Sequence, residues 1–353
     1  CDGDIYLGVV GPVRSGKSSF IKRFMEMAVI PYIEDKDAKL RAIDELPQSG
    51  KGKMIMTVEP KFIPNQAVEM LMDENFKVNV RLVDCVGYVI EGAKGYQDDQ
   101  GIRYVKTPWY LESIPFDQAA KVGTKKVIQD HSTIGIVITS DGSICDIPGA
   151  NYNEATDSIV EELLDIDKPF IIIINTKDVN SPACKKEYER LTAKYDVPVL
   201  SMDVTNMEEP QIVSLLKDAL YEFKISEVRI EVPKWLAMMS NSHWLKQTLD
   251  TSLKESLQSI KKFEDIERIG DTISEYDFVD KAYLTGIDTT TSSATLKIEE
   301  REGLYNEILE EIIGDKGFDQ ATFLTFIQEL VDIKKEYEGF SNAVRMVKQT
   351  GYG

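Results

Sequence analysis

The chain has 353 residues, with 41 Lys+Arg against 60 Asp+Glu and a formal net charge of -19. With 42 % hydrophobic and 29 % charged residues it has the material for a core, which excludes wholesale disorder, and its length suggests two or three domains. The acidic balance argues against duplex nucleic acid as a partner, and no run of about 18 apolar residues offers a membrane span.

The first apolar run, Ile5–Val10 (IYLGVV), ends at Gly11 and leads through a Gly-rich stretch into helical periodicity over Ser18–Ala28, which reads strand, loop, helix. Its start, Cys1-Asp2-Gly3-Asp4, is acidic and does not read as a signal peptide. Residues from about Ile30 to Gly52 form a mixed-charge insert before a strand-like Met54–Glu59. Further apolar runs follow at Val78–Val83, Ile134–Thr139, Pro169–Ile174 and Val197–Leu200, of the continuous kind expected in strands covered on both faces. Helical patterns over Glu154–Asp165, Pro182–Tyr195 and Pro210–Phe223 alternate with them, so a mostly parallel sheet is expected. A second insert, from about Tyr88 to Pro115, is rich in Gly, Tyr and charge and carries Trp109; it reads as a functional loop or as a solvated surface insertion.

After Ser226 the pattern changes. A strand-like Val228–Val232 precedes a long helical pattern from about Ser240 to Phe263. Phe278–Asp288 and Ala294–Glu299 flank the polar run Thr289–Ser293 as an antiparallel hairpin would, and helical patterns cover Leu304–Ile313 and about Asp319–Val347. The division expected is an α/β nucleotide-binding domain over 1–226 and a smaller α+β domain over 227–353. His243, beside Trp244, reads as a packing residue. Cys1, Cys85, Cys145 and Cys184 are too scattered for a zinc site or a disulfide framework. The chain begins without Met and stops at Gly351-Tyr352-Gly353, from which an engineered fragment of a longer protein is expected.

Gly11-Pro12-Val13-Arg14-Ser15-Gly16-Lys17-Ser18 matches G-x-x-x-x-G-K-[ST] in full and in the right strand–loop–helix setting. Such a loop turns its N–H groups on phosphates, here those of Gly11, Arg14, Ser15, Gly16 and the helix start at Ser18 and Ser19. Lys17 reaches the β- and γ-phosphates, and the Ser18 hydroxyl is the expected Mg²⁺ ligand. Asp84, at the end of the strand Val78–Val83 and opening Asp84-Cys85-Val86-Gly87, suits a second acid at the metal, with Gly87 offering an N–H to the γ-phosphate. Thr57 is the candidate for a threonine that senses the γ-phosphate through Mg²⁺.

The base-reading segment departs from the N-K-x-D of small GTPases. Asn175-Thr176-Lys177-Asp178 keeps Asn and Asp in place, but Thr176 replaces the stacking Lys and Lys177 stands one position late. Guanine selection is weakened by this, not excluded. Ser201 lies where the last base loop is expected. The water-orienting Gln that follows D-x-x-G in Ras-like proteins is Tyr88 here, so either turnover is slow or another residue places the water. Arg14 and Arg103 are conceivable charge stabilisers, or simply solvated arginines.

These motifs resemble the stage IV sporulation protein A family. The likeness rests on Gly3–Gly11 and the phosphate loop, Thr57-Val58-Glu59-Pro60-Lys61-Phe62, Val83–Tyr88, Thr107-Pro108-Trp109-Tyr110, His131–Gly135, His243-Trp244-Leu245 and the closing Met346–Gly353. It spans essentially the whole chain. It implies a P-loop NTPase of the GTPase-like class that uses and hydrolyses ATP with Mg²⁺. It also implies a homopolymer in the mother-cell cytoplasm, on the forespore surface, as the base layer for other spore coat morphogenetic proteins. Loss of the γ-phosphate would then release the loops around Thr57 and Gly87 and change a polymer contact. A further C-terminal region of the family, which attaches to a small membrane-bound peptide, would lie beyond this chain, so membrane targeting is expected to be weak. Family members commonly carry two threonines in the middle motif; Val58 takes the second place here. Two other readings remain: a regulatory GTPase, and a structural protein with a catalytically idle nucleotide site.

Overall fold

The computed structural model describes residues 4–47, 61–73, 76–93, 97–98, 101–258, 260–289, 291–314 and 320–351. The expected strand Met54–Glu59, with Thr57 and Val58, lies outside the described residues.

In chain order, β1 (Ile5–Val10) enters α1 (Lys17–Phe24), which runs on as a wider π-turn over Met25–Val29, and α2 (Lys36–Asp44) follows. Next come β2 (Lys61–Asp73) and β3 (Phe76–Asp84), then the short strands β4 (Gln97–Asp98), β5 (Gly101–Ile102), β6 (Tyr104–Thr107) and β7 (Tyr110–Pro115). The α/β alternation continues with α3 (Phe116–His131), β8 (Ile134–Ser140), α4 (Ala150–Ile166), β9 (Phe170–Asn175), α5 (Pro182–Lys194), β10 (Val199–Met202) and α6 (Glu209–Tyr221). Then follow β11 (Glu227–Glu231), α7 (Lys234–Ala237), α8 (Trp244–Leu257), α9 (Glu264–Ser274), β12 (Val279–Asp288), β13 (Ser293–Glu300), α10 (Leu304–Ile313) and α11 (Gln320–Thr350).

Among the described residues six strands form the main sheet, in the order β10-β9-β8-β1-β3-β2. All neighbours in it are parallel except β2, which runs antiparallel to β3 at one edge. Every residue of β8 and β9 is buried, which is why these runs read as unbroken Ile and Val rather than as alternation. Val10 and Val83 of the strands meet Val127 of α3, Ile159 of α4 and Leu191 of α5 in one cluster, so these three helices cover one face. Crossovers between parallel strands leave the strand carboxyl ends, and the loops after them, on one rim of the sheet. Gly11, Asp84, Ser140 and Asn175 all fall on that rim.

The insert after Tyr88 is built of short pairs. β4 pairs with β5 and β6 with β7, both antiparallel, and Trp109 sits at the β6–β7 turn. Val105 of that hairpin packs with Val86, Phe116 and Ala120, which seats the hairpin under α3. Of the expected long helix Ser240–Phe263 only α8, Trp244–Leu257, is helical, and α9 begins just beyond it at Glu264. His243 opens α8 as its N-cap, its Nδ1 accepting the Leu245 N–H at 3.2 Å, and Phe263 is buried edge-on against Phe223 between them. A smaller sheet has the order β11-β13-β12.

By compactness the chain divides into two units. One comprises Cys1–Ile273 with Ala282–Ile298, and the other Ser274–Lys281 with Glu299–Gly353, which holds α10 and α11. No helix among the described residues is long and apolar enough to cross a membrane.

Candidate functional site

The loop after β1 is fixed by its backbone. Gly11 adopts φ 148° and Gly16 φ 102°, and a Cβ on Gly11 would stand 2.1 Å from the Ile138 carbonyl oxygen. Only glycine relieves both constraints. Between them Val13 N–H donates to the Tyr88 carbonyl at 2.8 Å and Tyr88 N–H to the Gly11 carbonyl at 3.2 Å, which ties the loop to the segment after β3. Arg14 is exposed at φ 60°, and its carbonyl accepts from the Tyr152 hydroxyl at 3.3 Å.

Lys17 opens α1 and is buried. Its Nζ donates to the Gly11 carbonyl at 3.0 Å and to the Pro12 carbonyl at 2.7 Å. Burial pulls the Lys17 ammonium below its ordinary value, against the opposing pull of Cys85 and Asp84. Asp84, the last residue of β3, stands in register with Val9 of β1 and Lys61 of β2. Burial pushes its carboxyl up, with Lys17, the Cys85 N–H and Lys61 opposing. Cys85 turns the other way: its thiol donates to the Val9 carbonyl at 3.3 Å, and burial holds it at about 12, so it is a packing residue and not a nucleophile. A Cβ on Gly87 would meet Lys17 Nζ at 2.3 Å, Val13 N at 2.6 Å and Gly11 O at 2.8 Å. The structure thus brings Gly11, Gly16, Lys17, Asp84 and Gly87 together. Ser18 and Ser19 are half-buried at the start of α1, beside them in sequence.

Tyr88 follows Gly87. Its ring is buried in the cluster that joins Val13 of the loop to Val127 of α3 and to Ile159 and Leu163 of α4. Its hydroxyl lies near the Glu162 carboxylate without a hydrogen bond of regular geometry, and burial raises its pKa.

The base-reading segment is locked from within. Asn175 is buried, its Nδ2 donating to the Ser15 carbonyl at 3.0 Å while its Oδ1 accepts the Val204 N–H at 3.3 Å. One side chain thereby joins the phosphate loop, the end of β9 and the loop after β10. Thr176, in the place of a stacking Lys, is fully buried, and its hydroxyl donates to Asp141 Oδ2 at 2.6 Å. Ser143 Oγ donates to Asp141 Oδ1 at 2.6 Å and accepts from the Lys177 N–H at 3.0 Å. Lys177 and Asp178 are exposed, and Asp178 Oδ1 accepts the Asn180 N–H at 2.9 Å. β10 extends to Met202, so Ser201 lies within the strand opposite Ile174, and the loop proper begins at Asp203. Sequence reasoning did not single out Asp141 and Ser143. Their signal is Ser140-Asp141-Gly142-Ser143, a polar turn at the carboxyl end of a buried strand.

The groups present fit a nucleotide polyphosphate with a divalent cation. Ser15 Oγ is buried without a hydrogen-bond partner, Gly87 leaves space that a Cβ would fill, and a desolvated ammonium and carboxylate stand close together. Ser18 and Asp84 have the oxygen donors Mg²⁺ prefers. Thr57, the third candidate ligand, lies outside the described residues. Arg103 is held by its backbone, its carbonyl accepting the Phe116 N–H at 2.9 Å.

Fold and loop together define an α/β protein with a phosphate-loop motif on the carboxyl rim of a mostly parallel sheet. Residues 1–224 match the family described as Stage IV sporulation protein A, ATPase domain, and residues 225–353 match Stage IV sporulation protein A, middle domain. The chain is 47 % identical to stage IV sporulation protein A of Bacillus anthracis and, equally, of Bacillus subtilis (strain 168). It is 42 % identical to that of Clostridioides difficile (strain 630). Each match covers 99 % of this chain and 71 % or 72 % of the relative. The chain belongs to the stage IV sporulation protein A family, with an ATPase domain followed by a middle domain.

Proposed function

We propose that this chain is a P-loop NTPase of GTPase-like architecture that hydrolyses ATP slowly and couples nucleotide to self-assembly into the base layer of the spore coat. The observation that carries the chemical half is the convergence of the Gly11–Ser18 loop, buried Lys17, Asp84 and Gly87 on one rim of the sheet. Backbone N–H groups of the loop would hold the phosphates, and a polyanion would repay Lys17 for its burial. Ser18 and Asp84, with Thr57, would hold Mg²⁺, which when bound neutralises phosphate charge as the bond to the leaving group lengthens. Slow turnover is supported by the buried Tyr88 standing in the place of a water-orienting Gln. The burial of Thr176 and the use of Asp178 Oδ1 by Asn180 remove one guanine-stacking group and half of the carboxylate edge, which supports ATP over GTP.

The assembly half rests on the family alone: mother-cell location at the forespore surface, other coat morphogenetic proteins as partners and attachment to a small membrane-bound peptide belong to the proposal. Mg²⁺-dependent hydrolysis of ATP and GTP, measured side by side, tests the chemistry. Turnover on ATP that Lys17→Ala lowers at least a hundredfold is the expected result. Preference for GTP would indicate a regulatory GTPase, and binding without turnover a structural nucleotide site.

A further inference from the structure

α11 runs for 31 residues and carries a strict seven-residue repeat. Phe323, Leu330, Tyr337 and Val344 recur every seven residues. Three positions after each stand Phe326, Ile333, Phe340 and Val347, so all eight seam positions of four consecutive heptads are apolar. At 1.5 Å per residue this seam is about 36 Å long. Leu330, Ile333, Tyr337, Phe340 and Val347 are between 44 % and 69 % exposed. A single-residue scatter of this kind is ordinary on a surface; five large side chains in register along one helix are not.

The charges beside the seam select the occupant. Glu329 stands at the position before Leu330, and Lys334 at the position after Ile333. In a parallel pair of identical helices, the residue before one seam position faces the residue after the next on the partner helix, so Glu329 faces Lys334 twice over. In an antiparallel pair each flank meets its own kind, so with the seams fully overlapped Lys334 meets Lys334 and Glu336 meets Glu336. Within the helix Lys334 approaches Glu338 only at 3.9 Å, with both side chains largely in water, so that contact does not compete strongly. We infer that α11 pairs with α11 of a second copy of this chain as a parallel two-stranded coiled coil. This contact rests on the proposed self-assembly and deepens it by naming one of its surfaces, and it uses none of the residues assigned to the nucleotide.

Sedimentation velocity of the chain without nucleotide, at tens of micromolar, provides the test. The native chain is expected to sediment as a dimer, and Ile333→Glu/Phe340→Glu as a monomer that still binds ATP. Glu329→Lys is expected to weaken the dimer at least threefold, and Glu329→Lys/Lys334→Glu to restore it, because only self-pairing returns the match. Ile333→Cys should form an oxidised dimer absent from the parent chain, since seam residues of parallel helices meet their own copies. A monomeric native chain, an unchanged double-glutamate variant or failure of the charge swap to restore would each overturn the pairing. ATP-dependent assembly that survives in the double-glutamate variant would also overturn it as an assembly contact, while leaving self-assembly itself standing. Loss of hydrolysis in an intact dimer would bear on the nucleotide reading alone.

Discussion

Asn175 is the side chain on which the site's internal geometry depends most. It satisfies two backbone groups from different loops inside the core, Ser15 O and Val204 N. Asn175→Ala leaves both unpaired and is expected to cost about 1–3 kcal/mol of stability. ATP affinity should fall with it, read by thermal unfolding and by equilibrium binding on the same preparation. Gly16 is a complementary case: at φ 102° an added Cβ would stand 2.1 Å from Asn175 Nδ2. Gly16→Ala should therefore lose nucleotide binding with a larger stability loss than its one methyl suggests, because backbone strain and a broken Asn175 contact coincide. The phosphate loop was legible in the sequence because its residue types are set by backbone conformation, which sequence records directly. Asn175 was legible by position, but as a base-reading residue. Its structural duty depends on loops 160 and 29 residues away, and no local pattern encodes that. Thr176 was legible only as a departure; that it would turn inward to Asp141 follows from the burial of β9, which sequence spacing does not report.

Helices α4 and α5 are joined by a charge cluster whose behaviour with acid can be worked out. Arg190 donates from Nη1 to Asp157 Oδ1 at 2.9 Å and from Nη2 to Glu187 Oε1 at 2.8 Å. Lys194 Nζ approaches Asp157 Oδ2 at 2.9 Å, and the Tyr195 hydroxyl donates to Asp157 Oδ1 at 3.0 Å. Burial of Asp157 raises its carboxyl, but Lys194, Arg190 and Tyr195 outweigh it and hold the pKa below the usual carboxylate range. A depressed pKa stabilises the fold above the unfolded value of about 3.9, and that gain is lost as pH falls through the folded value. Asp157→Asn should accordingly lower the melting temperature at pH 7 and narrow its gap to the native chain below about pH 4. Arg190→Ala, which strands Glu187 and leaves Asp157 to Lys194 and Tyr195, is expected to cost about 1–3 kcal/mol at pH 7 in urea unfolding. Among the elements, β8 and β9 read correctly to within a residue because total burial writes itself as Ile and Val. α3 went unread: Phe116–His131 carries Lys at three positions, and the middle of its buried face, Ala119, Ala120, Gly123 and Thr124, is too small or polar to mark a stripe. β2 was missed altogether: Pro64 and Asn65 interrupt its pattern at the point where its register with β3 shifts.

For the molecule as a whole, charge is the property that the sequence states without a fold. Copies carrying a net charge of -19 repel one another, and the repulsion is screened over a Debye length of about 10 Å at 0.1 M salt. Raising salt from about 20 to 200 mM is thus expected to promote self-association, seen as rising light scattering or sedimentation coefficient. The alternation of strand and helix made the α/β class readable, though not α3 or β2 within it, whereas the small hairpins after Tyr88 have no such periodicity and were open to two readings. If the proposed nucleotide coupling holds, one feature of that region bears on how it would be transmitted. Tyr88 is bonded through its N–H and its carbonyl to Gly11 and Val13, and its ring is sunk between α3 and α4. A loop pinned in this way works as a wedge, not a flap. Any swing of Gly87 after phosphate loss must first extract a buried aromatic ring or carry α3 and α4 along with it. Motion would then reach the surface through those two helices, as a small lateral spreading of the sheet's cover, and the amides of Val13 and Tyr88 would exchange with deuterium only when the whole cover loosens.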